Sequence, residues 1–313
     1  MRRRTGGRTD QLIAVVGPTA AGKSELSVWL ARELGGEVIN ADSMQLYQGM
    51  DIGTGKLTVT ERMGVPHHVL DVWDVAEPAS VSEYQRLARA AVADVRSRGR
   101  MPILVGGSGL YVRAVIDRLD FPGTDPRIRG RLEAELAAAG PAELHGRLAS
   151  QDPAAAAVIL PSNGRRIVRA LEVIELSGRP FSATLPGYAS VMPVMQLGLA
   201  VPRPELDRRI AERVRRMWLS GFVDEVRALA GAGLRAGRTA SRALGYAQVL
   251  RFLDGDWTEA EAERQTVAQT RRFARRQESW FRRDPRVRWL AADLPGLAGL
   301  ALDAITEHCR PAE

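Results

Sequence analysis

Gly17, Gly22, Lys23 and Ser24 stand in the spacing G-x-x-x-x-G-K-S, read as GPTAAGKS over residues 17–24. That spacing suits one chemistry, the cradling of a phosphate chain. The glycines let successive backbone N–H groups converge on an anion, and the N-terminus of the following helix adds its dipole. Lys23 brings a mobile positive charge, and the Ser24 hydroxyl is placed to ligate Mg²⁺. Asp42, just past a second short apolar run, is the next candidate. A carboxylate there can be a general base, a water-mediated Mg²⁺ ligand, or a cap for the turn that follows. A second glycine-rich turn, Gly106-Gly107-Ser108-Gly109, follows another buried run and makes Ser108 a candidate substrate contact.

Only two of the 44 basic residues are lysines, Lys23 and Lys56; the others are arginines. In so arginine-rich a chain, lysine is expected to persist where a compact ammonium differs chemically from a planar guanidinium. One of the two sits in the phosphate motif. Lys56 closes the polar, glycine-punctuated segment 51–56, which is unsuited to a core strand.

These residues need elements to hold them. The run LIAVV at 12–16 reads as a buried strand, and Leu26, Trp29, Leu30 and Leu34 recur at helical spacing behind the glycine loop. Further strands are expected at 37–40, 66–72 and 101–105, with an amphipathic helix at 81–98 and another helix from 110. This alternation through residue 118 predicts a doubly wound α/β fold, with ligands beyond the carboxyl ends of the strands and Asp42 near the phosphate loop. After a linker at 121–126 come arginine- and alanine-rich helices at 127–139, 142–149, 154–159 and 165–176. Arg165, Arg166 and Arg169 form a basic cluster there, either a polyanion contact or a solvated charged face. A strand at 194–201 returns to the sheet, so the helical stretch is an insertion. Helices at 205–219, 223–229 and 257–281 follow, the last with a strongly basic second half, then a strand at 286–290; beyond Pro295 no element is read. The expected organisation is a basic disordered tail at 1–10, an α/β core at 11–118 and 195–313 with helical C-terminal parts, and an inserted helical domain at 119–194.

The bulk properties narrow the classes. With 313 residues, 45% hydrophobic and 26% charged, the chain has the composition of a globular protein. A net charge of +7 invites an acidic partner, nucleic acid above all, although arginine drift alone can raise it. The single cysteine, Cys309, excludes an internal disulfide framework and a cysteine-rich metal knuckle. The four histidines (67, 68, 145 and 308) have no metal-ligand spacing. No apolar run approaches membrane-spanning length and the start lacks a signal-like apolar region, so a cytoplasmic protein is expected, acting as a monomer.

In order along the chain stand GPTAAGKS (17–24), DSMQLY (42–47), GMDIGTxK (49–56), GGS (106–108), RxxRALEV (166–173), GFVDEV (221–226), LGY (244–246) and RRQxxWF (275–281). This ordered set closely resembles the bacterial tRNA isopentenyl transferase, or dimethylallyltransferase, family, over nearly the whole chain. The resemblance implies a P-loop NTPase-like α/β core and transfer of a dimethylallyl group from dimethylallyl pyrophosphate to N6 of the adenosine 3′-adjacent to the anticodon of tRNA. By that resemblance Gly17, Pro18, Thr19, Ala20, Ala21, Gly22, Lys23 and Ser24 bind the pyrophosphate, with Mg²⁺ as cofactor on Ser24. The catalytic group is Asp42, taking a proton from or hydrogen-bonding the attacking amine, with Thr19, Lys23 and Arg213 on the leaving pyrophosphate. Contacts to the tRNA anticodon stem-loop fall on Asp42, Ser43, Met44 and Gln45, on Ser108 and Arg129, on Arg165, Arg166, Ile167, Val168 and Arg169, and on Arg242, Ala243, Leu244, Gly245, Tyr246 and Ala247. Two positions depart from the pattern: Ala247 stands where relatives are usually basic, and Leu57 where a proline often follows the lysine. The competing readings are a nucleoside or nucleotide kinase, a non-catalytic RNA-binding protein, and a transferase acting on free adenine nucleotides.

Overall fold

The computed structural model describes residues 11–181 and 187–308; the basic stretch 1–10 and Cys309 lie outside the described residues. In chain order the elements are β1 (Leu12–Val16), α1 (Lys23–Leu34), β2 (Gly36–Asn40), β3 (His67–His68), α2 (Val81–Ser97), β4 (Met101–Gly106), α3 (Gly109–Ile116), α4 (Pro126–Gln151), α5 (Pro153–Val158) and α6 (Gly164–Ser177). There follow β5 (Val194–Ala200), α7 (Arg203–Leu219), α8 (Phe222–Gly231), α9 (Tyr246–Leu253), α10 (Glu259–Phe281), β6 (Val287–Ala291) and α11 (Leu297–His308). The chain divides into two units, Met1–Ile116 with Ser190–Glu313, and Asp117–Ala189.

The first unit is built on a parallel sheet of six strands among the described residues, in the order β3-β2-β4-β1-β5-β6. Every residue of β1 is buried, as befits a strand whose two faces are both covered by helices. Ile13, Val15, Leu30, Ile103 and Leu197 belong to one core cluster joining β1, β4, β5 and α1. The carboxyl ends of β1, β2 and β4 therefore lie side by side. Gly106, ending β4, must lack a side chain, because a Cβ there would stand 2.2 Å from the Ala41 carbonyl oxygen.

Three expectations change. The strand expected at 66–72 shrinks to His67–His68, since the backbone turns left-handed at Val69 (φ 60°) and Asp71 (φ 55°). This is a conformation a β-branched residue adopts only under tertiary constraint. The constraint is visible: Asn40 Nδ2 donates to the Val69 carbonyl, and the Asp71 carboxylate accepts from Lys56. The stretch after Pro295, in which no element was read, forms α11 and buries Ala301, Ala304 and Ile305 in the core. The long basic helix starts at Glu259, two residues later than expected, because Thr258 caps it by accepting from the Glu261 N–H.

The second unit packs α4, α5 and α6 around Leu132, Leu148, Ala155, Ile167 and Leu171. The break expected near residue 140 is a bend inside α4 at Gly140 (φ 81°, ψ 168°), followed by Pro141. Glu172 is fully buried and accepts from Arg129 and Arg169. Burial pushes its carboxyl up, but the two guanidiniums outweigh that and hold it below the usual range. Arg169 also donates to the carbonyls of Pro122 (2.5 Å) and Gly123 (3.0 Å). Arg129 and Arg169 are thus engaged within their own unit, whereas Arg165 and Arg166 are exposed. Ile167 and Val168, expected with them as tRNA contacts, have their side chains buried in the packed face of α6. No described helix is long and apolar enough to cross a membrane.

Candidate active site

The glycine loop leaves β1 at Gly17 (φ 134°), whose missing Cβ would stand 2.9 Å from the Leu199 carbonyl oxygen. It enters α1 through Gly22 (φ 91°), also left-handed, and α1 begins with no side-chain cap on its first N–H groups. Those donors and the helix dipole are what an anion requires. Lys23 folds back to donate to the Pro18 carbonyl at 2.7 Å. Burial pushes its ammonium down to about 8; the Asp42 carboxylate pulls it upward and the Arg213 guanidinium pushes it further down.

Asp42 is fixed by its neighbour. The buried Asn40 accepts from the Asp42 N–H (2.8 Å) and donates to the Asp42 carbonyl (3.0 Å). Asp42 Oδ1 accepts from the Met44 N–H (2.9 Å), which realises the turn-capping role with one oxygen and leaves Oδ2 without a hydrogen bond among the described residues. The Ser108 hydroxyl, at the end of β4, accepts from the Ser43 N–H and donates to the Ser43 hydroxyl, both at 3.3 Å. Opposite, Arg213 on α7 donates to the Thr54 carbonyl at 2.9 Å. Burial lowers the pKa of its guanidinium, with Asp42 opposing that shift.

One cavity of about 440 Å³ gathers Thr19, Asp42, Ser43, Met44, Ser108 and Arg213, together with Arg242, Ala243, Leu244, Gly245 and Tyr246. Ile210, Val214 and Met217 from α7, Phe222 from α8 and Phe273 from α10 give it an apolar surface, beside which α10 also presents Thr266, Gln269, Thr270 and Arg276. Three arginines, Arg213, Arg242 and Arg276, and the Asp42 carboxylate therefore share the cavity with a hydrocarbon surface. Lys23 and Gln45 do not line the cavity; Gln45 Nε2 points to the Thr54 carbonyl at 3.4 Å. Tyr246 is buried, and its hydroxyl donates to Glu225 at 2.6 Å.

A sequence profile of IPP transferases matches residues 45–284. The chain belongs to the IPP transferase family. It is 67% identical over 302 residues to the tRNA dimethylallyltransferase of Thermobifida fusca, covering 95% of each chain. It is 66% identical over 298 residues to the same-named protein of Streptomyces coelicolor, covering 94% of this chain and 96% of that one. Among solved structures it resembles the full-length tRNA isopentenylpyrophosphate transferase of Bacillus halodurans, with TM-score 0.70 and 40% identity over 96% of this chain and 98% of that one. It also resembles a eukaryotic dimethylallyltransferase acting on tRNA, with TM-score 0.83 and 26% identity over 97% of this chain and 81% of that one. The parallel sheet with its glycine loop is the P-loop NTPase-like core shared by this family.

Several residues that organise the site were given no role in the sequence reading. Gln277 on α10 is buried; its Oε1 accepts from the Thr19 N–H (2.9 Å) and its Nε2 donates to the Gly107 carbonyl (3.0 Å). It ties the phosphate loop to the second glycine turn, and a Cβ on Gly107 would stand 2.2 Å from its amide nitrogen. Lys56, the second lysine, is buried and donates to Tyr47 O (3.1 Å), Asp51 Oδ1 (2.5 Å) and Asp71 Oδ1 (2.5 Å). Three oxygens converging on one nitrogen suit an ammonium and not a planar guanidinium. The apolar wall had a sequence signal, since Ile210, Val214 and Met217 recur at helical spacing around Arg213.

Proposed function

We propose that this chain transfers the dimethylallyl group of dimethylallyl pyrophosphate to N6 of the adenosine 3′-adjacent to the anticodon of tRNA, releasing pyrophosphate. The observation that carries the reading is the shared cavity, in which phosphate-loop and cationic groups, a carboxylate and an apolar wall face one another. The names and the identity of the relatives point the same way.

In this reading the N-terminus of α1, with Gly17 to Ser24 around it, receives the pyrophosphate, and Lys23 swings from the Pro18 carbonyl onto its oxygens. Arg213 neutralises charge as the C1–O bond breaks and the bonding pair leaves with pyrophosphate. The prenyl carbons lie on Ile210, Val214, Met217 and Phe222. The adenine, flipped from its stack, brings N6 to Asp42; N6 forms the new bond to C1 and its proton passes to Oδ2. Among the described residues no three acidic, histidine or cysteine side chains are grouped to hold a metal. Mg²⁺ would be held by the Ser24 hydroxyl in the first turn of α1, with pyrophosphate and water supplying its other oxygen ligands. Bound there, the ion supplies further charge stabilisation to the leaving group. Arg242 at the cavity and the exposed Arg165 and Arg166 contact the tRNA backbone. The chain acts as a monomer in the cytoplasm, where its tRNA substrate is found.

Asp42→Asn tests the reading. It keeps the turn and removes the proton acceptor, so kcat should fall by about 10²–10⁴-fold with tRNA affinity within a few-fold of wild type. A variant that turns over normally, or that loses activity only through tRNA binding, would contradict the assigned role.

A further inference from the structure

We propose that Glu225 is a positioning residue for the transfer: it sets the place of Arg213 through loop 51–55. This rests on the reading above, in which Arg213 binds the pyrophosphate. Glu225 does not line the cavity. It sits on α8 with its carboxylate accepting from four groups. These are the consecutive backbone N–H groups of Asp51 (3.1 Å), Ile52 (2.7 Å) and Gly53 (3.2 Å), and the Tyr246 hydroxyl (2.6 Å). Three successive N–H groups facing one carboxylate form an anion nest, here filled by the protein's own side chain.

The loop so gripped passes its geometry on. Its next carbonyl, that of Thr54, accepts from Arg213 Nη2, and the Thr54 hydroxyl donates back to the Met50 carbonyl at 2.7 Å. The far end is pinned by Lys56 on Asp51 and Asp71. Packing leaves the loop little room. A Cβ on Gly53 would stand 2.2 Å from the Phe222 ring and 2.6 Å from that of Tyr246, and one on Gly55 only 2.1 Å from Arg213 Nη2. The segment that sequence reading could describe only as glycine-punctuated and polar is thus a strut. One end is held by an acid, the other by a lysine, and its carbonyl orients the cation. Burial and Glu225 both push the Tyr246 hydroxyl to a higher pKa, so it remains a donor throughout the working range.

The experiment is a double-mutant cycle read through inhibition by Mg²⁺–pyrophosphate, kcat and tRNA affinity. Glu225→Ala should weaken pyrophosphate inhibition and lower kcat by about tenfold or more, with tRNA affinity unchanged. Glu225→Gln keeps one acceptor oxygen and the shape, so it should recover part of the loss; Tyr246→Phe should show a smaller loss of the same kind. In an Arg213→Ala background, Glu225→Ala should add less than about threefold, because the group it positions is gone. If Glu225→Ala does not fold, Glu225→Gln and Tyr246→Phe carry the test, with melting curves confirming that they are folded. Wild-type inhibition in both folded variants, or an equal Glu225 factor in both backgrounds, would overturn the proposal while leaving Arg213 in its role. Wild-type inhibition in Arg213→Ala would overturn the reading of Arg213, and this proposal with it.

Discussion

Donor binding should weaken with rising pH by an amount set by Lys23. In the free protein burial holds this ammonium down to about 8. A bound pyrophosphate favours the charged form and raises that midpoint, so binding above pH 8 must take up a proton. The sign follows: affinity is greatest below the free-protein midpoint and falls as pH rises through it. With a midpoint of about 8, the charged fraction drops from about nine-tenths at pH 7 to about one-tenth at pH 9, so affinity should fall about tenfold over that span. The donor's own ionisation does not mask this, since a phosphate monoester loses its last proton at about pH 6. The assay is calorimetric titration of dimethylallyl pyrophosphate at constant Mg²⁺ across this range, in two buffers of different ionisation enthalpy to count the proton taken up. Lys23→Met should bind weakly at pH 7 and lose most of the slope. A flat wild-type profile from pH 7 to 9, or the same slope in Lys23→Met, would refute the argument.

Other expectations follow from particular contacts. Gln277→Ala leaves the Thr19 N–H and the Gly107 carbonyl unpaired in a buried place, which should cost about 2–4 kcal/mol in chemical denaturation and raise the donor KM, while Gln277→Glu retains the acceptor and should recover the loop contact. Arg165→Ala with Arg166→Ala should weaken tRNA binding and reduce the slope of log K against log salt by about two; an unchanged slope would make them a solvated face. Glu37 is held down to about 2, chiefly by hydrogen bonds from Arg98 against the opposing cost of burial, with His68 assisting. Its folded pKa lies below the ordinary carboxylate value, so its contribution is present above about pH 4.5 and lost as pH falls through about 2. Because Arg98 is 43% exposed, Glu37→Gln should destabilise by only about 1–2 kcal/mol at pH 7, with the gap closing in acid melts.

What could be read from the chain was what is local. The strand, glycine loop and helix of residues 12–34 are contiguous, so composition and period expose them together. Asp42 followed from a topological rule, since the carboxyl ends of parallel strands share an edge. The bend of α4 was legible because Gly140 and Pro141 carry backbone constraints of their own. The role of Gln277 was not, because its partner Thr19 lies 258 residues away and nothing local sets it apart from Gln265 and Gln269 on the same helix. Glu225 is one of two adjacent acids in the first turn of α8, and its meaning appears only when loop 51–53 is seen against it. The brevity of β3 was hidden for a related reason. The pattern at 66–72 permits a strand, and the contacts of Asn40 and Lys56 with Val69 and Asp71 end it. Within the basic segment 165–169, the apolar side chains of Ile167 and Val168 mark the inward face of α6. Helix α11 was missed because Pro295, Gly296 and Gly299 break up an otherwise helical apolar pattern.

The central claim is that the glycine loop serves pyrophosphate and an allylic transfer to tRNA. It is tested most directly by mass spectrometry of nucleosides from unmodified tRNA incubated with the protein, Mg²⁺, and either dimethylallyl pyrophosphate or ATP. The account predicts N6-dimethylallyl adenosine at the position 3′ of the anticodon with the prenyl donor alone. ATP consumed with no prenylated nucleoside in several adenosine-bearing tRNAs would contradict it.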